Sequence, residues 1–411
     1  MKKVLLIEHY WQGHHPTYFK QLTRAFLELG CEVWAYCPKP DDLIGFLEKH
    51  LGEVILSRLS TWHLPEMQFP AQWNERNLKS KIGQFLSSAF YWMLASELVK
   101  TATREKGSTL PELVFFPKID GLFRPMLSSK FVDFVFPYKW SGLYVHPKHH
   151  IGKRWMPKLL CPEISISEKH CIGLVSIDEV YVDAMRKRYD LPVFYIPDMV
   201  DEAEPSLHHP VYNQIRSLAQ GRTIVGLVGT LNERKNISLM YECIKRLPKE
   251  KFYFYFAGPS SPEMEAIQKR IQEEKRENVY FYLQNIPDGV EFNSILNASD
   301  ILFLVYKTSW SSNILTKAVM LRKKVLASNV GLVGERVKRY RLGYTVGIND
   351  MQSAVNLLEK LREETDEAFG FDDYFALNNF SQVKQTISQL LGVDRERCKE
   401  IKHYEENSKV C

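Results

Sequence analysis

The chain has 411 residues, a hydrophobic fraction of 45% and a formal net charge of +5. This length favours two or three domains with large cores. The mild positive charge is compatible with an anionic ligand or a membrane surface, and we expect no nucleic-acid partner. None of the seven cysteines forms a C-x-x-C pair, so the sequence predicts neither a structural zinc nor a disulfide framework and favours a reducing compartment.

The distribution of apolar residues predicts a cytoplasmic protein. Glu8 ends the first apolar run, which is too short for a signal peptide. The longest largely apolar stretch, Phe85 to Ala95, spans about half of the ~20 residues that a membrane helix needs. Residues 146–158 concentrate cations around one tryptophan. They favour a solvated loop, with binding of an anionic acceptor or peripheral contact at the inner membrane face as the alternatives.

The first half of the chain begins with a βαβ pattern. Strand Lys3–Glu8 is followed by a helix from Pro16 to Leu29 and by strand Glu32–Cys37. Proline near the start of the helix and Gly30 just after its end are typical boundary signals. A third strand is predicted at Val54–Leu59, and alternating elements continue to residue 200.

The second half repeats the alternation of strands and helices. Residues 201–221 contain several prolines and acidic side chains without periodicity, which indicates a linker. Beyond them, strands and helices alternate from Thr223 onwards. The pattern predicts an α/β protein with two doubly wound, parallel-sheet, Rossmann-like domains. We assign residues 1–200 and 222–390 to these domains and residues 391–411 to a C-terminal tail.

Two segments of the second half are suited to a phosphate group. The first follows strand Thr223–Gly229 and places two cations before a helix. The second is a serine-rich loop that precedes a predicted helix. Backbone N–H groups and the helix dipole favour an anion at such positions. The candidate phosphate-binding residues are Gly229, Thr230, Arg234, Lys235, Ser311 and Ser312.

The segment from Ser309 to Ser328, with the following turn Val330–Glu335, resembles the donor-site region of family 4 glycosyltransferases. These enzymes have the GT-B fold, in which two Rossmann-like domains face a cleft. The resemblance lies in the order of loop, helix, strand and turn. It does not extend to the family's paired glutamates, whose positions are occupied by Ser309 and Lys317, and Thr230 replaces an arginine. At position 317 the family glutamate holds ribose hydroxyls. For Lys317 we favour a surface side chain.

The resemblance implies which residues would act. Gly229 and Lys235 match the donor-diphosphate grip, and Glu335 matches a glutamate after the family's glycine turn, where it could bind hydroxyls. Gly13 and His14 lie in the loop that faces the donor. His146 could contact the transferred sugar, with Asp120 as a competitor. For each of these groups a structural role in a turn or helix terminus is the alternative.

The predicted function is transfer of a sugar from a nucleotide-diphosphate donor to a hydroxyl acceptor, with retention of anomeric configuration. The acceptor would be a sugar, a lipid-linked glycan or a small hydroxyl compound. We expect no metal, because the sequence contains neither H-E-x-x-H nor an Asp-x-Asp flanked by strand residues, and no cofactor besides the nucleotide-sugar co-substrate. The alternatives are a GT-B-shaped binding or accessory protein without transfer activity, and a nucleotide-sugar epimerase.

Overall fold

The computed structural model describes residues 1–66, 78–123, 127–145, 166, 169–188, 191–308 and 311–392. These residues form two compact units. The first contains Met1–Met199 together with the described C-terminal residues from Phe380 onwards, and the second contains Val200–Asn379. Both units are α/β structures built on a parallel sheet, as the sequence predicts.

The first unit has a seven-stranded sheet with the strand order β3-β2-β1-β4-β5-β6-β7, and all its strand pairs are parallel. Helices connect the strands and cover the sheet. The elements in chain order are β1 (Lys3–Ile7), α1 (His15–Glu28), β2 (Glu32–Cys37), α2 (Pro40–Glu48), α3 (Glu53–Leu56), β3 (Leu59–His63), α4 (Leu78–Glu105), β4 (Leu113–Phe116), α5 (Ser129–Val135), β5 (Trp140–Tyr144), β6 (Leu174–Ser176), α6 (Glu179–Arg188) and β7 (Val193–Tyr195).

The predicted βαβ start of this unit is confirmed, and the predicted third strand is wrong. Strand β1 is an apolar run that is buried along most of its length, as expected where helices cover both faces of a parallel sheet. Residues Glu53–Leu56 form a helical turn that follows the extended Gly52. The strand comes later, at Leu59–His63, where β2 is its one partner among the described strands.

The second unit has a six-stranded sheet with the strand order β10-β9-β8-β11-β12-β13, again with parallel pairing. Its elements are α7 (Pro210–Ala219), β8 (Thr223–Val228), a 3₁₀ turn (Glu233–Lys235), α8 (Ile237–Arg246), β9 (Phe252–Ala257), α9 (Pro262–Glu273), β10 (Val279–Tyr282), α10 (Val290–Asn297), β11 (Ile301–Leu304), α11 (Asn313–Met320), β12 (Lys324–Ser328), α12 (Gly331–Tyr340), β13 (Gly343–Val346), α13 (Met351–Glu363), a 3₁₀ turn (Asp366–Ala368) and α14 (Phe371–Leu377).

The chain order of the second sheet reverses between β8 and β11. From this point the strands follow in chain order towards each edge of the sheet, β8, β9 and β10 on one side and β11, β12 and β13 on the other. In open α/β sheets, ligands bind outside the carboxyl ends of the strands at such a reversal. The fold therefore predicts a ligand site at the turns that follow β8 and β11.

The boundaries of the units differ from those assigned on the sequence. Residues 201–221, expected as a linker, contain helix α7 and lie within the second unit. The last described helix, α15 (Phe380–Leu391), belongs to the first unit, whereas we expected the second domain to reach residue 390. It is held there by an ion pair of 2.7 Å between Lys384 and Glu28 and by the Arg24 guanidinium, which lies 3.9 Å from the Phe380 ring centroid.

Within the described ranges, no helix is both long enough and apolar enough to cross a membrane.

Candidate active site

Lys235 joins the two strands that border the reversal in the second sheet. Its side chain is only 2% exposed, and its ammonium donates to the Val228 carbonyl oxygen at 3.0 Å and to the Tyr306 hydroxyl at 2.8 Å. Val228 is the last residue of β8, and Tyr306 follows the end of β11. The ammonium therefore lies at the carboxyl edge of the sheet, where the fold alone predicts a ligand.

The surroundings of Lys235 contain no carboxylate partner: among the described residues, none forms an ion pair with it. Burial, with a further contribution from Arg234, holds the pKa of Lys235 well below its usual range. The ammonium lies 4.3 Å from the Tyr306 ring centroid, and the Arg234 guanidinium lies 5.5 Å from the same centroid. An anion at this position would supply the opposite charge that favours the protonated lysine.

The backbone before Lys235 leaves little space for side chains. Gly229 has a φ of +98°, and a Cβ atom added there would lie 3.3 Å from Lys235 Nζ. A Cβ added to Gly258, in the turn after β9, would lie 2.3 Å from the Gly229 carbonyl oxygen. The turns after β8 and β9 thus approach each other closely.

Ser312 occupies the N-cap position of α11, which confirms the predicted helix start. Its backbone is extended, and its side chain does not cap the helix in the described structure. An interaction with the Ser312 side chain acts on the pKa of Tyr306, the residue that accepts from Lys235. Burial raises the pKa of Tyr306 to about 12, so the phenol is neutral near pH 7. The structure therefore connects the two predicted phosphate-binding segments through Tyr306, which the sequence analysis missed.

Arg336 is a second buried cation beside the serine loop. It is 1% exposed, and its Nη1 donates to Ser311 Oγ at 3.1 Å. It shares the buried face of α12 with Leu332, Val333 and Val337. An arginine at an apolar position of a helical repeat was the signal that could have identified it from the sequence.

The remaining predicted donor-site residues are more exposed. Glu335 lies in the first half of α12 on its exposed side, 3.7 Å from Lys338 at i+3. Thr230 is exposed, and Arg234 is half-buried with its carbonyl accepting from the Lys307 N–H at 2.9 Å. The roles of these three residues in donor binding stay predictions, because their side chains reach the solvent and make no contact that defines a role.

Lys317 is not a surface lysine, and this expectation was wrong. Its side chain is 0% exposed, and its ammonium donates to Asp288 Oδ1 and to Asn293 Oδ1, both at 2.6 Å. It also lies 5.1 Å from the Phe292 ring centroid. The helix α11 turns this position towards α10 and the loop before it, where a carboxylate and an amide satisfy the buried charge.

In the first unit, the loop after β1 carries the predicted Gly13 and His14. Gly13 has a φ of +61°, and an added Cβ would meet no atom within 4 Å. His14 is exposed at the N-cap of α1, without a side-chain cap in the described structure. Both residues thus lie at the carboxyl edge of the first sheet, as predicted, and their roles stay predictions.

The neighbouring His15 lies in a cluster that sequence reasoning did not identify. Its Nδ1 is 3.1 Å from Glu8 Oε2, and its Nε2 is 2.8 Å from the Lys118 ammonium. Because an ammonium can only donate, Nε2 accepts and Nδ1–H donates to the buried Glu8. Burial lowers the pKa of the adjacent His9. This cluster gathers residues that are far apart in the sequence at one edge of the sheet.

His146 lies outside the described residues, as do the basic segment 146–158 and Ser309. Its competitor Asp120 is buried, and its Oδ2 accepts from the Val145 N–H at 3.1 Å. This contact gives Asp120 a role in the turn after β5. Among the described residues, no group of three or more His, Cys, Asp or Glu side chains could hold a metal ion.

Comparisons with known proteins identify the class. Residues 211–372 match the family model described as glycosyl transferases group 1. A search of curated proteins finds no match.

Among solved structures, sucrose-phosphate synthase from Thermosynechococcus elongatus is similar at 15% identity with a TM-score of 0.61, covering 95% of this chain and 98% of that chain. Anabaena HepE in complex with UDP and glucose is similar at 13% identity with a TM-score of 0.61, covering 95% and 99%. A UDP-forming trehalose-phosphate synthase from Burkholderia xenovorans is similar at 11% identity with a TM-score of 0.63, covering 96% and 99%.

At these identities the solved structures establish the fold, and the family match covers most of the second unit. Residues 211–372 therefore form a glycosyltransferase group 1 domain, and the chain has the GT-B fold.

Proposed function

We propose that the protein transfers a sugar from a nucleoside-diphosphate donor to a hydroxyl acceptor and that Lys235 binds the diphosphate. The observation that carries this proposal is the buried ammonium at the sheet reversal, which has a carbonyl and a phenol as partners and no carboxylate among the described residues. Burying a charge without a counter-charge is costly. A bound diphosphate supplies the counter-charge.

The chemistry follows from where charge develops. As the bond between the sugar C1 and the diphosphate oxygen breaks, its electron pair stays on that oxygen. The acceptor hydroxyl oxygen forms the new bond to C1, and its proton passes to the leaving diphosphate. Lys235 and Arg336 are buried cations, and Ser311 and Ser312 offer hydroxyl donors. Such fixed groups stabilise the leaving diphosphate without reorganising during the reaction. These protein cations neutralise the charge that a divalent ion neutralises in metal-dependent enzymes. We therefore include metal independence in the proposal.

The resemblance to family 4 extends the proposal to retention of anomeric configuration. For the acceptor we propose a sugar, a lipid-linked glycan or a small hydroxyl compound, bound by the first unit near Gly13 and His14. The cluster of Glu8, His15 and Lys118 supports an acceptor site there, because it fixes donors and acceptors of hydrogen bonds at the carboxyl edge of that sheet. We also propose a cytoplasmic location with optional contact at the inner membrane face.

The test is a thermal-shift panel of nucleotide sugars, followed by a transfer assay with the donor that binds. A bound donor stabilises the fold by RT ln(1 + [L]/Kd). Lys235→Met should weaken nucleotide binding by roughly 1.5–3 kcal/mol, the range for a hydrogen bond to a charged group. The control is Lys269→Met on an exposed face of α9, which should leave affinity unchanged. Equal affinity of the two variants would refute the assignment of the phosphate site.

A further inference from the structure

The loop between β10 and α10 presents a carboxylate that the fold holds in one position. Asp288 Oδ1 accepts from the Lys317 ammonium at 2.6 Å and from the Gly289 N–H at 3.1 Å. The Asp288 side chain is 27% exposed, whereas Lys317 is completely buried. The carboxylate can therefore contact a ligand, and the ammonium behind it cannot.

Lys317 is itself fixed from a second direction. Asn293 Oδ1 accepts from its ammonium, while the Asn293 amide nitrogen donates to the Asp201 and Ala203 carbonyl oxygens at 3.1 and 2.6 Å. The network thus connects α11, α10 and the segment before α7. Each of its hydrogen bonds restricts the position of the ammonium, and through it the position of the carboxylate.

The same helix also contacts the phosphate site. Ile314, one turn before Lys317 in α11, has its Cδ1 atom 3.3 Å from the position of a Cβ added to Gly229. Gly229 in turn adjoins Lys235 Nζ. Asp288 therefore lies on the flank of the proposed phosphate site, at the carboxyl edge of the same sheet. The part of the donor next to the phosphates is a ribose, which carries two vicinal hydroxyl groups.

We propose that Asp288 accepts hydrogen bonds from the ribose hydroxyls of the donor nucleotide and that Lys317 is its positioning residue. The inference rests on the proposed function, since it requires a nucleotide at Lys235. A carboxylate has two oxygens and can accept from two vicinal hydroxyls. Stability alone gives little reason for the pair, because an apolar replacement of a buried ion pair is often neutral or stabilising.

The experiment measures by calorimetry the affinity for UDP and for its 2′-deoxy form. If a panel of ribonucleoside diphosphates shows that another base binds more tightly, that nucleotide and its 2′-deoxy form are used instead. The wild type should bind the ribo form about 10-fold more tightly or better, as expected for a hydrogen bond to a charged group. Asp288→Ala should reduce the ratio of the two affinities to near one. It should weaken the ribo form more than the deoxy form, because the deoxy form loses only the contact to its 3′-hydroxyl.

Two further variants separate a positioning role from a structural one. Asp288→Ala leaves Lys317 without its carboxylate, so the double variant Asp288→Ala/Lys317→Met removes both charges and keeps the test valid if the single variant does not fold. Lys317→Met alone should lower the ratio and weaken the deoxy form less than the ribo form. The control is Asp372→Ala at an exposed ion pair of the same unit, which should keep the wild-type ratio.

The outcomes distinguish this inference from the proposed function. If the wild type binds the nucleotide through Lys235 but the ratio of affinities is unchanged in the Asp288 variants, the inference is overturned and the proposed function stands. If no nucleoside diphosphate of the panel binds the wild type, both are overturned together.

Discussion

Two buried lysines at one edge of the second sheet have opposite surroundings. Lys317 donates to a carboxylate and an amide oxygen of the protein, whereas Lys235 donates to a carbonyl oxygen and a phenol. Both ammonium groups are nearly excluded from water. The first charge is balanced within the fold, and the second is not balanced by the described residues. The difference shows that burial alone does not identify a ligand site, and the missing counter-charge at Lys235 is what supports the proposed phosphate site.

The largest expected effect comes from reversing the balanced charge. Lys317→Glu places a buried carboxylate beside Asp288 and removes the donor that satisfies Asn293. Breaking a buried ion pair from one side costs about 3–5 kcal/mol. We therefore expect the free energy of unfolding, measured with urea, to fall by about that amount. The resemblance places a ribose-binding glutamate at this position, whereas Lys317→Glu would put a second carboxylate beside Asp288.

The control for this variant is Lys269→Glu, a charge reversal at an exposed position of α9. Such surface changes usually stay within about 0.5 kcal/mol. Similar stabilities for Lys317→Glu and Lys269→Glu would mean that the ion pair of Lys317 adds nothing, and the contrast between the two buried lysines would then have no energetic basis.

The second prediction concerns the pH dependence that the unbalanced lysine imposes on binding. Burial holds the pKa of Lys235 well below 10.5, whereas a bound diphosphate favours the protonated form. Above the lowered pKa of the free protein, binding must take up a proton. The affinity for a nucleoside diphosphate should therefore fall as pH rises through this range, by up to about tenfold per pH unit.

The folding stability should change in the opposite direction over the same range. Between the lowered folded pKa and 10.5, the unfolded chain binds more protons at Lys235 than the folded chain does. The free energy of unfolding should therefore increase as pH rises through this window, and this contribution is lost as pH falls through the folded pKa. Lys235→Met should remove both slopes. If the proton uptake measured by calorimetry in two buffers is the same in wild type and variant, the uptake belongs to another group.

Much of the fold could be predicted because parallel strands covered on both sides are continuous apolar runs, such as Ile301–Leu304. Strand β3 was missed because it lies at the sheet edge and carries Ser60, Thr61 and His63. The placement of α15 on the first unit was missed because its partners Glu28 and Tyr195 are remote in the sequence. Its amphipathic pattern indicates a helix but does not indicate which unit covers the apolar face.

The candidate site, like the fold, could be predicted only where its signals are local in the sequence. The turn before Lys235 could be recognised because glycine, cations and a following helix are local signals. The burial of Lys317 could not, because its acid partner Asp288 lies on a different loop and the pairing exists only after folding. Arg336 was missed for the same reason, since Ser311 is brought to it by tertiary structure.

A smaller effect is expected at Glu335, which is exposed and pairs with Lys338. Exposed ion pairs contribute about 0–1 kcal/mol, so Glu335→Gln should barely change stability. We expect the KM for the donor to rise by about 2- to 5-fold, the equivalent of a weak, solvent-exposed hydrogen bond to a charged group. Lys338→Met removes the same ion pair and should leave the KM unchanged. An equal KM in both variants and the wild type would restrict Glu335 to the pairing with Lys338.

The smallest expected effect is that of a chelator. If Lys235 and Arg336 supply the positive charge at the leaving diphosphate, a divalent ion is not needed there. Transfer measured in excess EDTA should then equal transfer without it. The control adds EDTA to Lys235→Met with and without magnesium, because an ion could take over the missing charge in that variant. Loss of wild-type activity in EDTA, with rescue by manganese or magnesium, would show that an ion balances the charge of the diphosphate. The missing counter-charge at Lys235 would then no longer explain how the diphosphate is bound.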